Sequence, residues 1–320
     1  MSTTRRVVLA SLALLALGPI CPSPVAHAAG CPVEPGLTLD HAEPSTAAAV
    51  ELTLARRGLA ERGATWLGRL ASVGGGARDT LLFVPTTLDP DRPVELVIYH
   101  DGHGAMAPGR VDARHGAAIT HLLATGRNAV YVAPDAPWSS HGRPTARGAY
   151  WQAGCDHAGA CAGGHAAPGD FVAFLDAVQA HVAAAVCASP GFTLTLIGFS
   201  AGGRGVRDAV VQLATTDALT GLRQLIYADA HYATAWVDDA WRVIGGQEPW
   251  TRVTLLVSAG RYDGADGNRR RAWDFARGKV VRTLHRHQAG NLIGKQVRVV
   301  QVDASHHGIG DAAVGLSLPP

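Results

Sequence analysis

Apolar positions along the chain change period again and again, and that alternation predicts the elements. Thr65–Val73 and Asp79–Val84 alternate apolar with polar around Gly74-Gly75-Gly76, which predicts a hairpin of two half-exposed strands at a sheet edge. Val94–Tyr99 is apolar on both faces and predicts a buried strand. Helical spacing follows over Val111–Ala124, then a strand over Asn128–Ala133. Phe171, Phe174, Leu175, Val178 and Val182 share one face of a helix over Asp170–Ala185, with Pro168 and Gly169 ahead of it as a start signal. Phe192–Ile197 predicts another buried strand and Val206–Leu213 an amphipathic helix. Leu222–Ala228, Val253–Ala259 and Val297–Val302 predict three more strands. A Trp-bearing helix ending near Val243 and an Arg-rich helix over 268–287 separate them. Residues 30–60 read as an extended arm and a short Ala-rich helix, while 134–168 has little periodicity. So long an irregular segment inside a compact domain is usually functional. Strands alternating with helices define the α/β class: a mainly parallel central sheet with helices on both faces, in one domain over 29–320.

The first residues change the picture of where this domain works. Arg5 and Arg6 precede the apolar run Val7–Leu17, and Ala26-His27-Ala28 forms an A-x-A cleavage site. This predicts a secretory signal peptide over 1–28 and a mature protein that is extracellular or periplasmic. The run is too short to span a membrane, and no later stretch is long and apolar enough. Cys21 would suit a lipoprotein, but Gly18-Pro19-Ile20 resembles a lipobox poorly.

Of 28 basic residues, two leave with the signal, so the remaining 26 match 26 acidic ones. That balance gives no reason to expect nucleic acid or an anionic membrane as partner. No coiled-coil pattern indicates an oligomeric state. Four cysteines remain, Cys31, Cys155, Cys161 and Cys187, and an even number in an exported chain suggests two disulfides with three possible pairings. Cys155 with Cys161 would close a short loop, and Cys31 with Cys187 would then tie down the arm. Cys155, His157, Cys161 and His165 also suggest zinc, but they lack a standard ligand spacing. No metal and no organic cofactor are expected.

The chemistry is concentrated at Gly198-Phe199-Ser200-Ala201-Gly202, between a predicted strand and a predicted helix. G-x-S-x-G in that context is the nucleophile elbow. The serine sits in strained backbone, and its neighbours two residues away approach too closely for side chains. Ser200 is the expected nucleophile. Ligands of such a sheet meet the loops at the carboxyl ends of the strands. The strand at Val94–Tyr99 ends in His100-Asp101-Gly102-His103-Gly104, whose Gly102 or His103 amide would form an oxyanion hole with that of Ala201. The last strand ends in Asp303-Ala304-Ser305-His306-His307, placing a base at His306, with His307 as the alternative. The orienting acid is Asp263, after the penultimate strand, or Asp229, after the strand before it; Asp266 and Asp303 lie nearby.

These pieces resemble the α/β-hydrolase superfamily, and within it secreted esterases and polyester depolymerases. The carried residues are Ser200 in GFSAGG, the oxyanion region in YHDGHG and His306 in ASH, a triplet similar to that at the catalytic histidine of cutinase-like polyester hydrolases. The layout extends over about residues 65–310, though HDGHG is not the plain His-Gly of most relatives. The resemblance implies a serine hydrolase acting on a small-molecule or polymer-linked ester through an acyl-enzyme. Amidase, peptidase or acyltransferase chemistry would use the same triad, and a polysaccharide- or wall-binding protein could keep the fold without turnover. Trp138, Tyr150 and Trp151 of the 134–168 insert would contact substrate or pack the loop down.

Overall fold

The computed structural model describes residues 31–42, 44–70, 78–102, 109–134, 169–230, 241–244, 251–258, 261–263, 269–271, 297–303 and 308–315. Nine strands form one sheet: β1 (Gly36–Asp40), β2 (Gly63–Leu70), β3 (Arg78–Pro85), β4 (Val94–His100), β5 (Ala129–Pro134), β6 (Phe192–Phe199), β7 (Leu222–Ala228), β8 (Arg252–Ser258) and β11 (Val297–Val302). A separate two-stranded ribbon pairs β9 (Arg261–Asp263) with β10 (Arg269–Arg271). Across the sheet the order is β1-β2-β3-β5-β4-β6-β7-β8-β11. Only β3 runs against its neighbours, β2 and β5. All other pairings are parallel. The mainly parallel sheet expected from the sequence is present.

Period two along the central strands sorts their side chains into two cores. Leu96 and Ile98 of β4 and Leu194 and Leu196 of β6 face α3 (Asp170–Val186) and α4 (Gly203–Leu213). Val97 and Tyr99 of β4 and Ile197 and Phe199 of β6 face the other way, toward α1 (Pro44–Arg56), α2 (Ala117–Ala124) and α5 (Ile309–Gly315). Strands covered on both faces read as continuous apolar runs, which is why these segments were legible. Among the described residues no helix is long and apolar enough to cross a membrane.

Two expectations need correction. The hairpin is not at the sheet edge, because β1 lies beyond β2, and β3 is buried from Asp79 to Pro85. β1 is short and mostly exposed, with only Leu37 and Leu39 apolar, so residues 36–40 read as an arm. Asp79 within β3 is buried with Arg69 3.1 Å away, a cross-strand ion pair that imitates a solvent-facing position. The Arg-rich segment expected as a helix from 268 begins instead as β10, and 272–296 lies outside the described residues.

The pairing of Cys31 with Cys187 is present, with Cα atoms 5.2 Å apart. It fastens the arm to the C-terminal end of α3, where the Cys31 amide also donates to Val186 O at 3.0 Å. Cys155 and Cys161 lie outside the described residues.

Candidate active site

β6 ends at Phe199, and Ser200 takes a left-handed φ of +52°. A side chain there costs about 1–2 kcal/mol in an L-residue, so the surroundings must impose it. They do so through glycines. A β-carbon on Gly198 would lie 2.8 Å from Gly203 Cα, and one on Gly202 only 1.8 Å from His100 O. The elbow is therefore folded tightly against both its own helix and the end of β4. One short turn, Ser200–Gly202, leads directly into α4, which puts the Ala201 amide beside a helix N-terminus.

β4 and β6 are hydrogen-bonded neighbours with His100 opposite Gly198. The loop after β4 consequently emerges next to the serine. A β-carbon on Gly102 would lie 3.0 Å from Ser200 Cβ and 3.4 Å from Ser200 Oγ. A side chain there would press on the serine, and one or the other would have to yield by a few tenths of an ångström. The Gly102 amide itself donates to Oδ1 of Asp101. Asp101 is almost wholly buried, and Arg114 Nη1 donates to the same oxygen at 3.2 Å. Arg114, also buried, lays its guanidinium 4.3 Å from the centre of the ring of Phe199, the residue before Ser200. It reaches there from a π-turn, Asp112–Gly116, that opens the helix leading into α2. Wide turns of this kind are frequent at functional sites.

The two acid candidates differ in setting. Asp229 follows β7, the strand beside β6, and is buried with a left-handed φ of +45°. Its Oδ1 accepts from the Ser258 amide at the end of β8, 2.9 Å away, and its own amide donates to Leu256 O at 3.0 Å. Asp263 follows β8 at the end of β9, where its backbone pairs with Arg269. Asp303 is exposed at the end of β11. Ala201 and Asp263 are described for their backbone alone, while His103, His306, His307, Trp138, Tyr150 and Trp151 lie outside the described residues.

Two histidines close to the site are core residues. His100, at the end of β4, is fully buried and held at a pKa of about 3, chiefly by desolvation and against a backbone hydrogen bond with Ile197. His115 is likewise lowered to about 3, by desolvation and then by the charge of Arg114, and its Nδ1 lies 2.8 Å from Tyr131 Oη. Both are neutral imidazoles across the working pH range. Sequence reading took the β4 loop for its glycines and histidines and missed Asp101 and Arg114. The signal that would have found Asp101 is a carboxylate between a buried strand and a glycine; Arg114 shows none, because its inward aim comes from the π-turn.

The strand order, the crossing helices and the strained serine elbow together define an α/β-hydrolase fold. No protein-family model matches the chain, and no curated protein matches it in sequence. Solved structures are similar to it in fold. A poly(aspartic acid) hydrolase-1 from Sphingomonas sp. KT-1 is 16% identical with a TM-score of 0.48, over 80% of this chain and 98% of its own. A siderophore hydrolase, EstB, from Aspergillus nidulans is 13% identical with a TM-score of 0.45, over 78% and 92%. The feruloyl esterase module from Clostridium thermocellum is 9% identical with a TM-score of 0.46, over 90% and 95%.

Proposed function

We propose that this protein is an exported serine hydrolase that cleaves a carboxylic ester through an acyl-enzyme. The observation that carries the reading is Ser200 itself, held at a φ of +52° with a glycine loop against its hydroxyl. Ser200 Oγ attacks the carbonyl carbon while His306 takes its proton, His307 being the alternative base. The tetrahedral oxyanion is held by the Ala201 amide and by the 102–103 loop. Since the Gly102 amide is engaged by Asp101, the loop's donor is the amide of His103. Each such donor is worth about 3–4 kcal/mol in comparable sites. The protonated base then gives its proton to the leaving alkoxide, and water releases the acid by the reverse path.

For the orienting acid, Asp229 is supported over Asp263 by three facts. It is buried, it is strained at a strand end, and a backbone amide fixes its Oδ1. The substrate class is a small-molecule or polymer-linked ester, with Trp138, Tyr150 and Trp151 of the insert as contacts. Export fits the Cys31–Cys187 disulfide, which persists in an oxidising compartment.

A fluorophosphonate followed by intact-mass analysis tests the reading. One adduct mapped to Ser200, together with turnover of a short acyl ester that Ser200→Ala abolishes, is the expected result. A folded protein that takes no adduct beside a labelled control hydrolase would instead be a non-catalytic binding protein on the same fold.

A further inference from the structure

Beneath the nucleophile lies a buried ion pair that the hydrolytic cycle does not use. Asp101 and Arg114 are 1% and 6% exposed at the side chain and 3.2 Å apart. Buried pairs of this kind are poor stabilisers, because desolvation of both charges offsets their attraction, and apolar replacements are often neutral or better. Stability alone therefore accounts badly for a pair one residue from Gly102 and in contact with Phe199.

What the pair touches accounts for it better. Asp101 Oδ1 accepts from the Gly102 amide as well as from Arg114, so Arg114 sets the carboxylate and the carboxylate sets the Asp101–Gly102 peptide. That peptide carries Gly102, which lies against the serine: a β-carbon on it would sit 3.0 Å from Ser200 Cβ. On its other side the Arg114 guanidinium lies against the Phe199 ring, which precedes Ser200. The same ring is met by α5: a β-carbon on Gly310 would lie 3.0 Å from it and 2.2 Å from Tyr99 Oη. Gly310 is four residues past His306. One guanidinium thus connects the oxyanion loop to the nucleophile strand, and the ring it covers connects that strand to the helix after the base.

We propose that Arg114 is a positioning residue: anchored by Asp101 and stacked on Phe199, it holds the oxyanion loop in place against Ser200. Lysine cannot replace it, since an ammonium lacks the planar face that stacks and the fork that donates. The inference rests on the serine hydrolase reading above.

The test compares Asp101→Asn, Arg114→Lys, Arg114→Met and the Asp101→Asn/Arg114→Met double variant with wild type. Turnover of a short acyl ester is normalised to the fraction of sites a fluorophosphonate labels at completion, and thermal midpoints are taken in parallel. Loss of oxyanion alignment should lower kcat per labelled site about 100-fold in each single variant, with KM within about threefold. The double variant should be no slower than the worse single one, because both act through one unit. If Arg114→Met does not fold, the near-isosteric Asp101→Asn carries the same prediction. Variants that melt earlier yet keep kcat per labelled site within threefold, or whose losses multiply in the double variant, would overturn the positioning role and leave the hydrolase reading standing. A wild type that takes no label would remove both.

Discussion

Gly202 passes so close to the end of β4 that its replacement is a measurement of the site. In Gly202→Ala the added carbon would meet His100 O at 1.8 Å, His100 C at 2.6 Å and Asp101 O at 2.9 Å, all backbone atoms. Ordinary contact begins at 3.4 Å, so about 1.6 Å must open between elbow and strand. Neither side yields cheaply: β4 is hydrogen-bonded to β5 and β6, and the elbow is continuous with α4. Overpacking usually costs about 1–3 kcal/mol, and a clash with backbone on both sides belongs at or above the top of that range. At about 2–4 °C per kcal/mol the midpoint should fall by about 6–12 °C. Whatever part of the strain is relieved by movement displaces Ser200 from the loop after β4, and about 1 Å of misplacement can cost 100-fold in rate. Calorimetry and kcat/KM on a short acyl ester read the two terms separately. Gly191→Ala, where the new carbon meets nothing within 4 Å, is the control and should change stability by under about 0.5 kcal/mol. A Gly202→Ala protein with the control's midpoint and kcat/KM within threefold of wild type would refute the close approach itself.

Other outcomes follow from the same structure. Asp229→Asn should lower kcat by about 10³–10⁴ while Asp263→Asn leaves it within tenfold, and the reverse pattern moves the acid to Asp263. Cys31→Ser/Cys187→Ser removes a link across 156 positions and should cost about 5 kcal/mol on the chain-entropy account. A urea midpoint unchanged by that double variant would contradict it. Burial lowers His100 and His115 to about 3, so the unfolded chain alone takes up their protons below its own value of 6.5. Their stabilising contribution is present above pH 6.5 and is lost as pH falls toward 3, by about 2 kcal/mol each at pH 5. The thermal midpoint should fall between pH 7.5 and 5, and by less in His115→Gln.

What could be read in advance depended on whether the cause was local. β4, β6, β7 and β8 announce themselves because a strand covered on both faces is mostly apolar. The elbow does so because Gly198 and Gly202 answer to backbone sterics within a few residues. β1 gave only a weak signal: it is five residues long and held by its ladder to β2, with Leu37 alone packed inward and the rest exposed. Arg269–Arg271 reads as polar surface in either helix or ribbon. The Asp101–Arg114 pair spans 13 residues and forms only when a π-turn aims one partner at the other, which no period records. Cys31 with Cys187 came from pairing by elimination, and the geometry agrees.

Because β4 and β6 are adjacent in the ladder, the spacing between the serine and the loop beside it is a backbone repeat of about 4.8 Å. β11 stands three strands from β6, about 14 Å away, so whatever it contributes must cross by way of connecting segments. Half of the site is thus inherited with the sheet, and half is free to drift. Descendants of such a chain can exchange the distant segments without disturbing the paired strands that seat Ser200 beside Gly102.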